Sequence, residues 1–181
     1  KELRAEVSRV KSFLEQQGVT KGDRVAAFMP NTWETLVAML ATASIGAVWS
    51  SCSPDFGIQG VLDRFQQIEP KVLFCANAYS FKGKPIETLE KAQQIEQALT
   101  SLNVTVIVSF GGLSAKISNF NNAVYWNDIP ETNRKLEFTA VSFNSPLYIM
   151  YSSGTTGLPK CIVHGVGGTL IQHLKELVLR T

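Results

Sequence analysis

The sequence predicts an α/β fold in which a mainly parallel sheet carries helices on both faces. Two observations lead there. Short apolar runs of strand length recur at residues 24–29, 47–50, 71–76 and 104–109, and between them lie longer stretches whose apolar residues return every three or four positions. Strands that alternate with helices are joined by crossovers, which set the strands parallel and leave both faces of the sheet to be covered.

The elements follow in order. Leu3, Val7, Val10 and Leu14, spaced among charged neighbours, give an amphipathic helix over 1–17 that Gly18 ends. Gly22-Asp23 makes a turn into the strand 24–29, which Pro30 closes. Asn31 with Glu34 three residues later has the form of a capping box, so a second helix is expected from Asn31 to Gly46 and a strand over 47–50 after it. A turn-rich loop, 51–57, leads into a helix with Ile58, Val61, Leu62, Phe65 and Ile68 on one face, which Pro70 stops. The strand 71–76 and a loop over 77–85 precede a helical pattern of Ile86, Leu89, Ile95, Leu99 and Leu102, and then the strand 104–109.

The Gly, Ser and Asn content of 111–122 predicts an exposed excursion, Val124-Tyr125-Trp126 a brief strand, and 131–143 no clear element. Leu147-Tyr148-Ile149-Met150 and Cys161-Ile162-Val163 are expected to form a hairpin. Gly167-Gly168-Thr169 opens a last helix with the stripe Leu170, Leu174 and Leu177.

The 181 residues are 45% hydrophobic and 18% charged, a globular composition with enough apolar material for a sizeable core. A formal net charge of +2 without a dense Lys/Arg tract gives no electrostatic case for nucleic acid or an anionic membrane surface. Cys52, Cys75 and Cys161 form no C-x-x-C pair, so neither a zinc site nor a disulfide framework is expected, and an intracellular reducing compartment fits. The most apolar stretch, 36–48, is broken by Thr42, Ser44 and Gly46 and falls short of the ~20 residues that span a bilayer. No segment reads as a signal peptide. A chain that begins at Lys1 and ends at Thr181 within a helical pattern is expected to be a piece of a longer protein.

The chemistry concentrates in Tyr151-Ser152-Ser153-Gly154-Thr155-Thr156-Gly157-Leu158-Pro159-Lys160. Four hydroxyls, at Ser152, Ser153, Thr155 and Thr156, offer donors to phosphate oxygens, Gly154 and Gly157 let backbone N–H groups approach an anion, and Lys160 adds charge at the rim. The spacing is not that of a Walker A loop, because only two residues separate the glycines and Cys161 follows the lysine. An ordinary surface turn has a similar composition, and the order of residues separates the two.

That order resembles the phosphate-loop signature of the adenylate-forming enzymes, the family of acyl-CoA synthetases, luciferases and peptide-synthetase adenylation domains: an aromatic, Thr or Ser, Ser, Gly, Thr or Ser, Thr, Gly, any residue, Pro, Lys. Every position fits. Lys21-Gly22-Asp23-Arg24-Val25-Ala26, Phe28-Met29-Pro30-Asn31 and Gly46-Ala47-Val48-Trp49-Ser50 are similar to the amino-terminal part of acyl-CoA synthetases. A narrower likeness, to the branch that activates acetoacetate, rests on Ser50-Ser51-Cys52-Ser53-Pro54-Asp55-Phe56-Gly57, Phe81-Lys82-Gly83-Lys84 and Gly157-Leu158-Pro159-Lys160-Cys161-Ile162-Val163-His164-Gly165.

The resemblance implies that residues 1–181 are part of an amino-terminal AMP-binding (adenylation) domain, the remainder of that domain and a carboxyl-terminal domain lying outside them. It implies a cytosolic ligase of fatty-acid and ketone-body metabolism that converts acetoacetate, ATP and CoA to a thioester, AMP and pyrophosphate through an acyl-adenylate. This stretch alone is then expected to be catalytically silent. Ser152, Ser153, Gly154, Thr155, Thr156, Gly157 and Lys160 would hold the ATP phosphates with Mg²⁺, Lys160 being the catalytic charge. Lys82, Lys84 and Arg64 would lie near the nucleotide phosphate of CoA, and 53–56 would line its channel; solvated surface charge is the other reading of the lysines. No residue is assigned to a metal. His164 is expected to pack and His173 to do nothing chemical. Acetyl- and other short-chain synthetases remain open, as do a non-catalytic nucleotide-binding module and an interaction domain in which the loop is only a turn.

Overall fold

The computed structural model describes residues 2–111, 115–152 and 157–179. Its strands are β1 (Arg24–Phe28), β2 (Val48–Cys52), β3 (Val72–Ala76), β4 (Ala78–Phe81), β5 (Lys84–Glu87), β6 (Val104–Val108), β7 (Ala123–Tyr125), β8 (Pro146–Ser152) and β9 (Lys160–Gly165). Its helices are α1 (Glu2–Gln16), α2 (Trp33–Ile45), α3 (Ile58–Phe65), α4 (Leu89–Ala98) and α5 (Val166–Leu179). Seven strands form one sheet in the order β7-β6-β3-β1-β2-β8-β9, parallel except for the β8–β9 pair. The mainly parallel α/β architecture is therefore the one the alternation of elements predicts.

Side-chain alternation along the strands divides the core in two. Val25, Ala27, Val72, Phe74, Val104 and Val106 face one way and pack against α1 and α2 through Val10, Leu14, Val37 and Ala41. Ala26, Phe28, Leu73, Cys75 and Ile107 face the other and meet Val61 and Phe65 of α3 and Ala92 and Ile95 of α4. Since β1, β3 and β6 are buried on both faces, they read as continuous apolar runs rather than alternating ones.

Several local expectations change. The second helix starts later than Asn31: Thr32 is its N-cap and makes no side-chain capping bond. The Pro30 carbonyl accepts the Thr32 N–H and the Thr35 hydroxyl, at 2.9 and 2.7 Å, and this tight turn replaces the capping box. The third helix ends at Phe65, short of Pro70, with Ile68 buried in the turn beyond it. Residues 78–87 are an antiparallel hairpin rather than a loop, so Ile86 sits in a strand and the helix after it begins at Leu89. Lys82 and Gly83 both take positive φ, 50° and 77°, as a two-residue hairpin turn requires; a lysine in the first of those places hides the turn from sequence reading.

Residues 115–122 are not a purely exposed excursion. Ala115 and Phe120 are buried, and the Glu96 carboxylate accepts the Asn121 and Asn122 N–H groups at 3.0 and 3.3 Å. Residues 112–114 lie outside the described residues. Trp126 begins a 3-10 turn instead of continuing β7. The stretch 131–143 is an extended strap over α1 and α2, where Ser8 donates to the Arg134 carbonyl at 2.7 Å and the Thr139 N–H to the Ser44 carbonyl at 2.9 Å. Buried Arg9 fixes the start of this strap by donating to the Trp126 and Ile129 carbonyls, at 3.2 and 2.8 Å, while its guanidinium lies 5.3 Å over the Trp126 ring. The strap delivers the chain from β7 to β8, across the whole sheet.

At the amino-terminal edge of the sheet, Asp23 ties the turn before β1 to the start of β3. Its Oδ2 accepts the Thr20 N–H at 2.7 Å, the Thr20 hydroxyl at 2.8 Å and Lys71 Nζ at 2.8 Å. Burial works to raise this carboxyl, but the bonds from Lys71 and Thr20 outweigh it and hold Asp23 below its ordinary 3.8. A carboxylate lowered in the folded state stabilises it fully above that ordinary value, and the contribution is lost as pH falls through the lower folded value. Asp23→Asn is therefore expected to cost on the order of 1 kcal/mol near neutrality, with the deficit shrinking in acid. Melting temperatures of both proteins from about pH 7 to about pH 3 check this; a deficit independent of pH would contradict it.

Candidate functional site

The β8–β9 hairpin holds the hydroxyl- and glycine-rich loop by its two ends. Tyr151 pairs with Cys161 and Ser152 with Lys160, so the loop leaves and re-enters the sheet at directly opposed residues. Alternation puts Tyr151 and Cys161 on one face and Ser152 and Lys160 on the other. Of the residues expected to form a phosphate cradle, Ser152, Gly157 and Lys160 are described, Lys160 exposed in its strand and Gly157 at φ +99°, a conformation suited to glycine. Ser153, Gly154, Thr155 and Thr156 lie outside the described residues.

Beside the hairpin, where β2 and β8 end, a cavity of about 440 Å³ opens. Ligand crevices in open α/β sheets form at the carboxyl ends of parallel strands, and this cavity has that position. Trp49, Ser51 and Cys52 of β2, Tyr148 to Tyr151 of β8, Met39, Ser53, Phe56 and Arg64 line it. Arg64 is the cation on its wall, its guanidinium 4.9 Å from the Phe56 ring centroid and 5.6 Å from that of Tyr151. Two aromatic faces fix the guanidinium in direction, and a cation so held can meet an anionic group.

Arg64, Ser53 and Phe56 thus stand together, next to the end of the strand that enters the hydroxyl- and glycine-rich loop. Lys82 and Lys84 are exposed on the β4–β5 hairpin that follows β3, and neither is on the cavity wall. Lys82 Nζ lies 5.4 Å over the Phe81 ring.

Tyr151 is the residue that composition did not single out. Its hydroxyl lies 3.0 Å from Ser50 Oγ, which shares one proton between it and the Ile149 carbonyl at 2.9 Å, and it donates to the Arg64 carbonyl at 3.4 Å. Burial raises its phenol far above the ordinary 10, so the hydroxyl stays protonated as a donor. The aromatic position in the loop signature was its one sequence signal. One histidine also differs from expectation. His164 is exposed in β9 rather than packed, and it lines, with Tyr148, Met150, Thr169, Gln172 and His173, a pocket of about 290 Å³ between the hairpin and α5. Among the described residues, no group of three or more His, Cys, Asp or Glu could hold a metal ion, and no helix is long and apolar enough to cross a membrane.

The chain is similar to known proteins over nearly its whole length. The family model described as AMP-binding enzyme matches residues 1–179. Acetoacetyl-CoA synthetase of Macaca fascicularis is 48% identical over 98% of this chain and 28% of its own length. Acetoacetyl-coenzyme A synthetase of Rhizobium meliloti is 51% identical over 97% of this chain and 27% of its own. The solved structure of acetoacetyl-CoA synthetase from Streptomyces lividans superposes with a TM-score of 0.91 at 40% identity, covering 97% of this chain and 27% of that one. The chain spans little more than a quarter of the relatives it matches.

The cavity makes a prediction about thiol chemistry. Burial pushes the Cys52 thiol up to about 12, with Arg64 opposing weakly. Burial raises Cys75 as well, helped by Glu96, whereas Cys161 is exposed. At about pH 8 only on the order of one Cys52 in 10⁴ is thiolate, the form that reacts. Brief iodoacetamide treatment followed by peptide mass spectrometry is expected to find Cys161 modified and Cys52 and Cys75 intact. Cys52 modified as fast as Cys161 would contradict the burial described.

Proposed function

Since the chain belongs to the AMP-binding enzyme family, we propose that it is part of the amino-terminal domain of an AMP-forming ligase that joins acetoacetate to CoA, and that its loop, 152–160, holds the outer phosphates of ATP. The observation that supports this most is the Ser152–Lys160 pair at the loop mouth, next to a cavity with a fixed cation at the strand ends. The acetoacetate reading draws on relatives at 45–51% identity that bear that name.

A carboxylate is a poor acyl donor because oxide is a poor leaving group. Its oxygen attacks the α-phosphorus of ATP, the bond to the β-phosphate oxygen breaks, and pyrophosphate leaves a mixed anhydride with AMP. The thiol sulfur of CoA then bonds to the carbonyl carbon, AMP departs with the electron pair of the broken C–O bond, and the thiol proton passes to solvent. The loop's part is to position the outer phosphates and stabilise the charge that grows on pyrophosphate. Ser152, Ser153, Thr155, Thr156 and the amides of Gly154 and Gly157 are the proposed donors, and Lys160 the cation. These donors suit phosphate oxygens rather than a metal, so magnesium is read as arriving on the phosphates. Arg64 is read as meeting the nucleotide phosphate of CoA, with Ser53 and Phe56 along its channel; Lys82 and Lys84 are a weaker part of the same reading. The cytosol is the proposed setting, and the free cysteines favour it.

Acetoacetate-dependent exchange of labelled pyrophosphate into ATP, measured on the protein that carries this stretch, tests the proposal; a module that only binds nucleotide gives none. In the same assay, Lys160→Ala is expected to slow adenylation by about one to two orders of magnitude, the loss of a charge-assisted contact of roughly 1.5 to 3 kcal/mol. Transfer from preformed acetoacetyl-adenylate should suffer less, because pyrophosphate has already left. Equal losses in both half-reactions would remove Lys160 from this role.

A further inference from the structure

The hairpin that carries the loop leans on the carboxyl end of one helix. Beyond the last residue of α3, Gln67 donates through Nε2 to the Pro159 carbonyl at 2.9 Å, and its Oε1 accepts the Cys161 thiol at 3.6 Å. Pro159 and Cys161 are the two neighbours of Lys160, so one amide side chain straddles the residue at the rim of the loop. The opposite shoulder meets the same helix end, since the Tyr151 hydroxyl donates to the Arg64 carbonyl at 3.4 Å, one of the carbonyls that a helix terminus leaves without an intrahelical partner. The Gln67 N–H donates to that carbonyl too, at 3.2 Å. Gln67 is itself anchored by a second bond from Nε2 to the Asp63 carbonyl at 2.6 Å.

We propose that Gln67 is a positioning residue for the phosphate loop: it fixes the shoulder bearing Lys160 while Tyr151 fixes the other, so that the carboxyl end of α3 sets how the paired ends of the loop are oriented against the cavity. This rests on reading the loop as a phosphate cradle. Strand alternation gives the brace its direction. Tyr151 and Cys161 face α3, so a contact on that face holds the backbone still while Ser152 and Lys160 point away from it and stay free for a ligand. Gln67 is exposed and belongs to neither apolar core, so its loss opens no cavity and leaves the fold in place. The helix that braces the loop also carries Arg64, which ties the cavity wall and the loop to one rigid element.

The test uses the full enzyme with Gln67→Met, which keeps length and removes all three side-chain hydrogen bonds, two of them to the hairpin, and Gln67→Glu, which keeps shape and removes the donor. In both, KM for ATP in acid-dependent pyrophosphate exchange is expected to rise about three- to tenfold, the range of a single lost hydrogen bond. Thiol transfer from preformed acetoacetyl-adenylate should stay within about twofold and the melting temperature within about 2 °C. No rise in either variant overturns the proposal. A rise in Gln67→Glu alone overturns it as well, since that is the effect of an added negative charge near phosphate. Equal loss of both half-reactions, or a loss matched by lower melting temperature, assigns Gln67 a purely structural role. Absence of exchange in the wild type removes the reading of the loop and the brace with it, whereas exchange in the wild type with unchanged variants removes only the brace.

Discussion

β8 joins the parallel sheet through two residue pairs, Trp49 with Tyr148 and Ser50 with Ile149, and the geometry of the site depends on that short junction. Upstream, β1, β3 and β6 are buried on both faces, while β8 is half-buried and β9 largely exposed. Ser50 reinforces the seam from within, its Oγ reaching both the Ile149 carbonyl and the Tyr151 hydroxyl. Without this pairing the hairpin would keep its own register but lose its angle to the cavity and to α3.

The site's polarity follows from the topology. Parallel strands that end together put β2, β8 and the loops after them on one edge, and the antiparallel return of β9 places Lys160 opposite Ser152 instead of carrying the chain away. On the α3-facing side stand Tyr151 and Cys161, on the other Ser152 and Lys160, and the Arg64 cavity opens at the strand ends with lining from both faces. The end of α3 therefore supports both a cavity with an oriented cation and the polar mouth of the loop.

Strand identity and sheet class were legible because β1, β3 and β6 are buried on both faces and so appear as unbroken apolar runs. The loop was legible from residue order. Contacts between distant residues were not: Tyr151 meets Arg64 across 87 positions and Gln67 meets Pro159 across 92, and no local pattern encodes either. The β4–β5 turn escaped because Lys82 takes a left-handed conformation that asparagine or glycine would have signalled. Arg9 is one of the charged neighbours in an amphipathic pattern, and nothing local marks it as buried; its donors meet the Trp126 and Ile129 carbonyls, far away in sequence. In α5 the spacing of Leu170, Leu174 and Leu177 predicts the helix correctly, but periodicity says nothing about cover, and all three are exposed among the described residues.

The mouth formed by Ser152 and Lys160 is proposed to receive the outer phosphates of ATP. The most direct measurement is a crystal structure of the full protein with magnesium and an ATP analogue that cannot be cleaved between its α- and β-phosphorus atoms. β- or γ-phosphate oxygens are expected within hydrogen-bond distance, about 2.7–3.2 Å, of Lys160 Nζ and the loop hydroxyls and amides. An ordered nucleotide bound elsewhere, with Lys160 left in solvent, would contradict it.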